Sequence, residues 1–209
     1  MGPSFVTVER AVDFPDKADM ERVNYFPRQL ITANDMIQEQ EYFREKLRAH
    51  NRLMHGWGVV SGLVVTYSNG KIVTIDRGFA LSQQGDEIYV REPQTLDLSQ
   101  SFQETSSDCD GIIRNPSPIN SEETRYIAIR YHECMIRPVR VMPAHCGCEE
   151  AVCEYSRIRE SFEIACCKEK PAKDDSPWVI LASVALKDGS IKVDYVDKSK
   201  WTPNPNLEK

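Results

Sequence analysis

Apolar residues recur at spacings of three and four along one stretch of the chain and then begin to alternate, so the chain changes from helix to sheet. Met36, Gln40, Phe43, Leu47, His50 and Met54 fall on one side of a helix, while Glu41, Arg44, Glu45 and Arg48 can pair across its solvated side. Thr32 supplies an N-cap, with Asp35 favoured by the first-turn dipole. Gly56 and Gly58 bracket Trp57 and stop the helix. From Val59 to Tyr67 the residues are β-branched and apolar and read as a strand, and Ser68-Asn69-Gly70-Lys71 turns it back into Ile72 to Ile75. A second hairpin places Gln83-Gln84-Gly85-Asp86 between Gly78 to Ser82 and Glu87 to Val90, and Leu96 to Leu98 adds a short strand.

The pattern lapses between Ser99 and Thr124, where Ser, Asp, Asn, Glu and Pro predominate and predict a long loop. Alternation returns in Arg125 to His132, continues extended in Met135 to Met142 with an interruption at Pro138, and resumes in Arg157 to Ala165. Trp178 to Leu186 and Ile191 to Val196 form a last hairpin about Lys187-Asp188-Gly189-Ser190, and the tail from Trp201 is rich in Pro and Asn. Upstream, residues 1–31 read as an extended arm that includes a short strand at Phe5 to Val8. The expectation is an α+β chain, mostly β. An arm (1–31) precedes a helix with a β-hairpin module (32–98), a polar loop (99–124) and a β-rich C-terminal part (125–209) packed with the module as one antiparallel body. Neither an internal repeat nor a heptad run is present.

Composition narrows function more than fold. With 209 residues the chain can bury a core, and 41% hydrophobic with 28% charged residues is ordinary for a folded globular protein. A net charge of -6 and the lack of a Lys/Arg cluster argue against nucleic acid, whose phosphates require a basic face. No stretch reads as a membrane span, and residues 1–10 lack a basic segment followed by an apolar one, so synthesis in the cytoplasm is expected.

The segment from Asn51 to Leu63 joins helix to strand through two glycines and a tryptophan, which demands a close fit. Its residues read as a packing junction: Gly56 ends the helix, Trp57 plugs it against the sheet, and Asn51 and His55 satisfy buried backbone groups. Reading His50 and His55 as a metal or acid/base pair is weaker, since five residues on a helix turn the two side chains apart. Phe43, Leu47, Asn51, His55, Gly56, Trp57 and Gly58 are therefore the candidate assembly and packing residues.

Asn24 to Asp35, Glu39-Gln40 with Tyr42-Phe43, and His50 to Leu63 together resemble the N-terminal signature of proteins encoded beside contractile phage-tail-like particles. Val73 to Leu81 and Gly85 to Ile88 are similar to the β-modules of phage baseplate and tail-fibre attachment proteins. The resemblance covers roughly the first half of the chain. It implies a structural subunit that docks onto other subunits of a tail-like particle by helix and sheet packing, oligomeric in the assembly and without catalytic activity. A different reading, carried by the polar Ser99 to Thr124 excursion, is a fibre-like module that recognises a surface carbohydrate or protein.

Seven cysteines, an odd number all gathered from Cys109 to Cys167, suggest reduced thiols or a metal site more than a disulfide framework. His145, Cys146, Cys148 and Cys153 are the candidate ligands of a structural zinc, with a distant thiol as an alternative fourth ligand. Free or adventitiously oxidised thiols are the competing reading, because Cys146 and Cys148 stand one residue apart where zinc pairs usually leave two. A fully ligated zinc would order the loop and leave no water to activate, so a metal-dependent hydrolase is disfavoured. No nucleophile elbow, phosphate-cradling loop or His-Glu-x-x-His motif is present, and the acidic pairs Asp86-Glu87 and Glu149-Glu150 read as solvated charges. The expectation is a protein that is not an enzyme.

Overall fold

The computed structural model describes residues 21–67, 71–105, 109–120, 123–140, 153–172, 176–187 and 190–194. The expected strand at Phe5 to Val8, the turn residues 68–70 and 188–189, the cysteine loop up to Val152 and the tail from Trp201 lie outside them. The protein is α+β and mostly β. Its chain divides into two compact units, Met1–Lys46 and Leu47–Lys209.

In the first unit a turn is closed by Gln29 N–H donating to the carbonyl of Phe26 at 3.2 Å, and the Tyr25 hydroxyl donates to Glu39 Oε2 at 2.9 Å. Helix α1 (Ala33–His50) starts at a reciprocal cap. Asp35 N–H donates to Thr32 Oγ1 at 3.3 Å, while Thr32 N–H and its hydroxyl donate to Asp35 Oδ2 at 2.8 and 2.7 Å. Those bonds hold the Asp35 carboxyl below its ordinary range.

In the second unit the helical path continues as a π-turn over Asn51–His55 and closes with Gly56 N–H donating to Asn51 O at 3.0 Å. Three sheets follow. The first orders β1 (Gly58–Gly62), β4 (Gly78–Leu81) and β5 (Glu87–Val90) as β1-β4-β5. The second orders β2 (Val65–Tyr67), β3 (Ile72–Ile75) and β6 (Gln94–Asp97) as β2-β3-β6. The stretch Val59 to Tyr67, expected as one strand, is thus split between two sheets. Gly62 (φ 63°) and Leu63 (φ 52°) turn the chain there, and a Cβ on Gly62 would collide with the carbonyl oxygen of Arg77, which instead accepts from Leu63 N–H at 3.1 Å.

The third sheet runs β12-β11-β9-β10-β8-β7, from β7 (Phe102–Thr105), β8 (Ile112–Asn115), β9 (Thr124–Arg140), β10 (Cys153–Cys167), β11 (Val179–Lys187) and β12 (Ser190–Asp194). Two of these strands occupy the span read as a polar loop. β8 runs parallel to β10 in a sheet expected to be antiparallel, with Glu163 opposite Ile112. Sequence alone missed it because only Ile112 and Ile113 mark it, a run too short to show a period. One core joins the sheets, from Val65, Ile75, Ile88 and Leu96 to Ile127, Ile129, Ile164 and Val184.

β9 passes through Pro138 without a break, where two strands had been expected. Among the described residues its only sheet neighbour from Tyr131 outward is β10, because β11 pairs with residues 124–129 and β8 with residues 163–165. A missing N–H is tolerable on a strand whose other edge is open.

Cys109 and Cys134 are bonded, with their Cα atoms 5.8 Å apart, which corrects the expectation of reduced or metal-bound thiols at those two positions. The link ties the turn before β8 to β9. Closing a 25-residue separation restricts the unfolded chain, so reduction, or Cys134→Ser, should lower unfolding stability by roughly 3 kcal/mol in a denaturant titration.

Candidate assembly surface

The end of the helix rests on the β4–β5 turn, with both elements in the second unit. Asn51, 5% exposed, donates through Nδ2 to the carbonyl of Gly85 at 2.9 Å and reaches Glu87 Oε1 at 3.4 Å. Arg48 pairs with Asp86. Gly85 has φ 91°, and a Cβ there would run into the Arg48 carbonyl, so helix backbone meets turn backbone directly. The turn is also fixed from within: Ser82 N–H donates to Asp86 O at 2.9 Å, Gly85 N–H to Ser82 O at 3.0 Å, and Asp86 N–H to Ser82 Oγ at 3.0 Å. On its far side Ser176 N–H donates to Gln83 Oε1 at 3.2 Å, which connects the turn to the approach of β11.

Of the candidate packing residues, Asn51, Gly56 and Gly58 are buried and Trp57 is half-buried. His55 is exposed. The π-turn also alters the expected histidine geometry, placing the His50 and His55 rings edge to face at 5.1 Å. Phe43 and Leu47 are 54% and 49% exposed, and α1 buries none of its residues even though Met36 and Ile37 also stand on its surface. A helix with this much uncovered apolar surface is suited to docking.

The buried charges are structural anchors. Glu163 is opposite Arg130 in register; Arg130 Nη2 contacts Glu163 Oε2 at 2.6 Å, and Arg114 Nε lies 3.1 Å from Oε1. The Arg130 guanidinium lies over the Trp178 ring at 4.8 Å. Both oxygens of this carboxylate are thus engaged by cations. Fully buried Arg125 gathers the loop before β9 by donating to Ser117 O and Oγ, Pro118 O and Glu123, and its bond to Glu123 keeps that carboxyl below its usual range.

Three of the four zinc candidates, His145, Cys146 and Cys148, lie outside the described residues, and Cys153 is an exposed free thiol opening β10. Cys109 and Cys134 are spent on each other, which removes them as distant fourth ligands. Among the described residues no group of three or more His, Cys, Asp or Glu could hold a metal. Likewise among the described residues, no helix is long and apolar enough to cross a membrane.

No family model matches the chain, and no curated protein does. Among solved structures, a chain of the type VI secretion system TssK-TssF-TssG baseplate subcomplex aligns with a TM-score of 0.47 and 13% identity, covering 84% of this chain and 60% of that one. A crystal structure of TssK gives 0.43 and 12%, covering 84% and 41%. A chain of the type VI baseplate complex gives 0.47 and 13%, covering 85% and 41%. The chain therefore spans 60% or less of each of these proteins. With TM-scores below one half, the likeness establishes neither a shared fold nor a shared activity.

The helix-to-turn contact makes a direct prediction. Gly85→Ala should cost about 2 kcal/mol or more, since it adds positive-φ strain to a backbone collision. Asn51→Ala should cost roughly 1–3 kcal/mol by leaving the Gly85 carbonyl unpaired, with both read from chemical denaturation. Thiol labelling offers an independent check. Burial pushes the Cys166 thiol up to about 11, so a maleimide at neutral pH should modify Cys153 in the folded protein and reach Cys166 only on unfolding.

Proposed function

We propose that the chain is a non-catalytic assembly subunit of a phage-tail-like contractile injection particle, on the baseplate or tail-associated side, made in the cytoplasm and docked onto other particle subunits. The observation that carries this reading is α1, an 18-residue helix with no buried residue and with Met36, Ile37, Phe43 and Leu47 uncovered. A soluble protein gains nothing by keeping such a helix bare, whereas an amphipathic helix laid into a partner's groove recovers the burial. The same helix lies within the segments that resemble proteins encoded beside such particles. Strong anchoring of its C-terminal end on the β4–β5 turn suits an element that must transmit load to a partner.

The fibre-like alternative draws less support from the polar span than its composition suggests. The span that suggested it contributes β7 and β8 to the six-stranded sheet and buries Cys109, Ile113, Asn115 and Ile119, so it is part of the body.

The test is incorporation into particles. Phe43→Glu combined with Leu47→Glu should reduce co-purification with tube, sheath or baseplate proteins of the native host at least tenfold, with an unchanged melting curve. Normal incorporation of the double variant would refute docking through α1. A wild-type chain that recovers none of those proteins would refute the assembly reading itself.

A further inference from the structure

Beyond Arg130 and Glu163, strands β9 and β10 leave the sheet as a two-stranded ribbon of roughly 30 Å, at about 3.4 Å per residue. Register is constant along it, so residues directly opposite one another share a face. One face takes Glu133, Met135 and Val139 from β9 with Glu154, Ile158 and Glu160 from β10. The other takes Ile136, Pro138 and Arg140 with Tyr155, Arg157 and Arg159. Three carboxylates thus stand on one side and three guanidinium groups on the other. Arg159 is paired within the chain with Asp110 at 3.5 Å and Glu133 accepts from the Tyr131 hydroxyl at 3.0 Å, so the charges offered to a partner are Glu154 and Glu160 on one side and Arg140 and Arg157 on the other. Arg137 has the parity of the acidic side, but its φ of 58° departs from strand geometry.

Each face also has an apolar centre exposed to solvent. Met135 and Ile158 are direct partners and are 63% and 57% exposed, while Tyr155, opposite Pro138, is 55% exposed. Two-stranded ribbons are marginal in water without further packing. Pro138 and the charged residues on the open edges disfavour extension by edge-to-edge pairing, which leaves the faces as the docking surfaces.

The geometry points to a head-to-tail contact between copies of this chain, in which the acidic face of one ribbon stacks on the basic face of the next. Opposite charges meet around two apolar centres. A two-fold contact between like faces would instead set Glu154 and Glu160 against their own copies, or Arg140 and Arg157 against theirs. Contacts of this heterologous kind close into rings or extend as stacks, depending on the rotation between copies. The footprint, roughly 30 Å by one ribbon width, is well below the standard interface of about 1,600 Å², so a single contact is weak and depends on concentration and salt. This inference rests on the assembly reading above and specifies one of its partners as a second copy.

The experiment is sedimentation velocity on the full chain over a concentration series, at low and high salt. One variant carries Glu154→Arg and Glu160→Arg; a second carries Arg140→Glu and Arg157→Glu. None of these residues contributes to the core, so melting curves should match wild type. Wild type should self-associate, less so in high salt, and each variant alone should do so at least tenfold more weakly. An equimolar mixture should associate again, because both faces of one variant are then mainly basic and both faces of the other mainly acidic. A wild-type monomer at every soluble concentration, variants that associate like wild type, or a mixture that stays monomeric would each overturn the proposal. Loss of association in Phe43→Glu with Leu47→Glu, without loss in the ribbon variants, would also overturn it while leaving the assembly reading intact.

Discussion

Backbone meets backbone where the Arg48 carbonyl lies against Gly85, and the arrangement of the junction follows from that approach. With no side chain between them, Asn51 can reach the Gly85 carbonyl and Arg48 can pair with Asp86. The β4–β5 turn that receives the helix is braced internally by Ser82 and externally by Ser176. The helix end, one small sheet and the approach to the large sheet therefore share a five-residue turn. Burying polar groups in such a place is tolerable only because nearly every one has a partner.

Much of this was legible in the residues. The Thr32 and Asp35 cap, the helix from Ala33, the stop at Gly56 and the β4–β5 hairpin each depend on local rules of periodicity, capping and turn chemistry, which sequence states directly. Asn51 could be nominated as a junction residue because a polar side chain at a helix end usually has a backbone group to satisfy. Its partner, 34 positions away, could not be named.

What stayed hidden was non-local. β8 has two consecutive isoleucines and little else, and its place is set by β10, whose Glu163 takes Arg114 on one side and Arg130 on the other. The link between Cys109 and Cys134 also depends on which strands are neighbours, a matter that cysteine spacing does not encode. The π-turn inverted the expectation for His50 and His55, because a period argument presumes a regular α-helix up to its last residue. Pro138 misled for a related reason: its cost depends on whether the other edge of the strand is paired, which only topology decides.

The direct opposition of Arg130 and Glu163 has a consequence at a distance. Side chains on a strand alternate with a period of two, so a slip of β9 against β10 by one residue would carry Glu133 to the side of Arg157 and Arg159, carry Arg140 to the side of Glu154 and Glu160, and bury the wrong residues at the ribbon's base. An ion pair between directly facing residues, flanked by a second cation from β8, penalises that slip where the sheet is dense. It acts as an alignment key, fixing at the root of the ribbon which way its charges point at the tip.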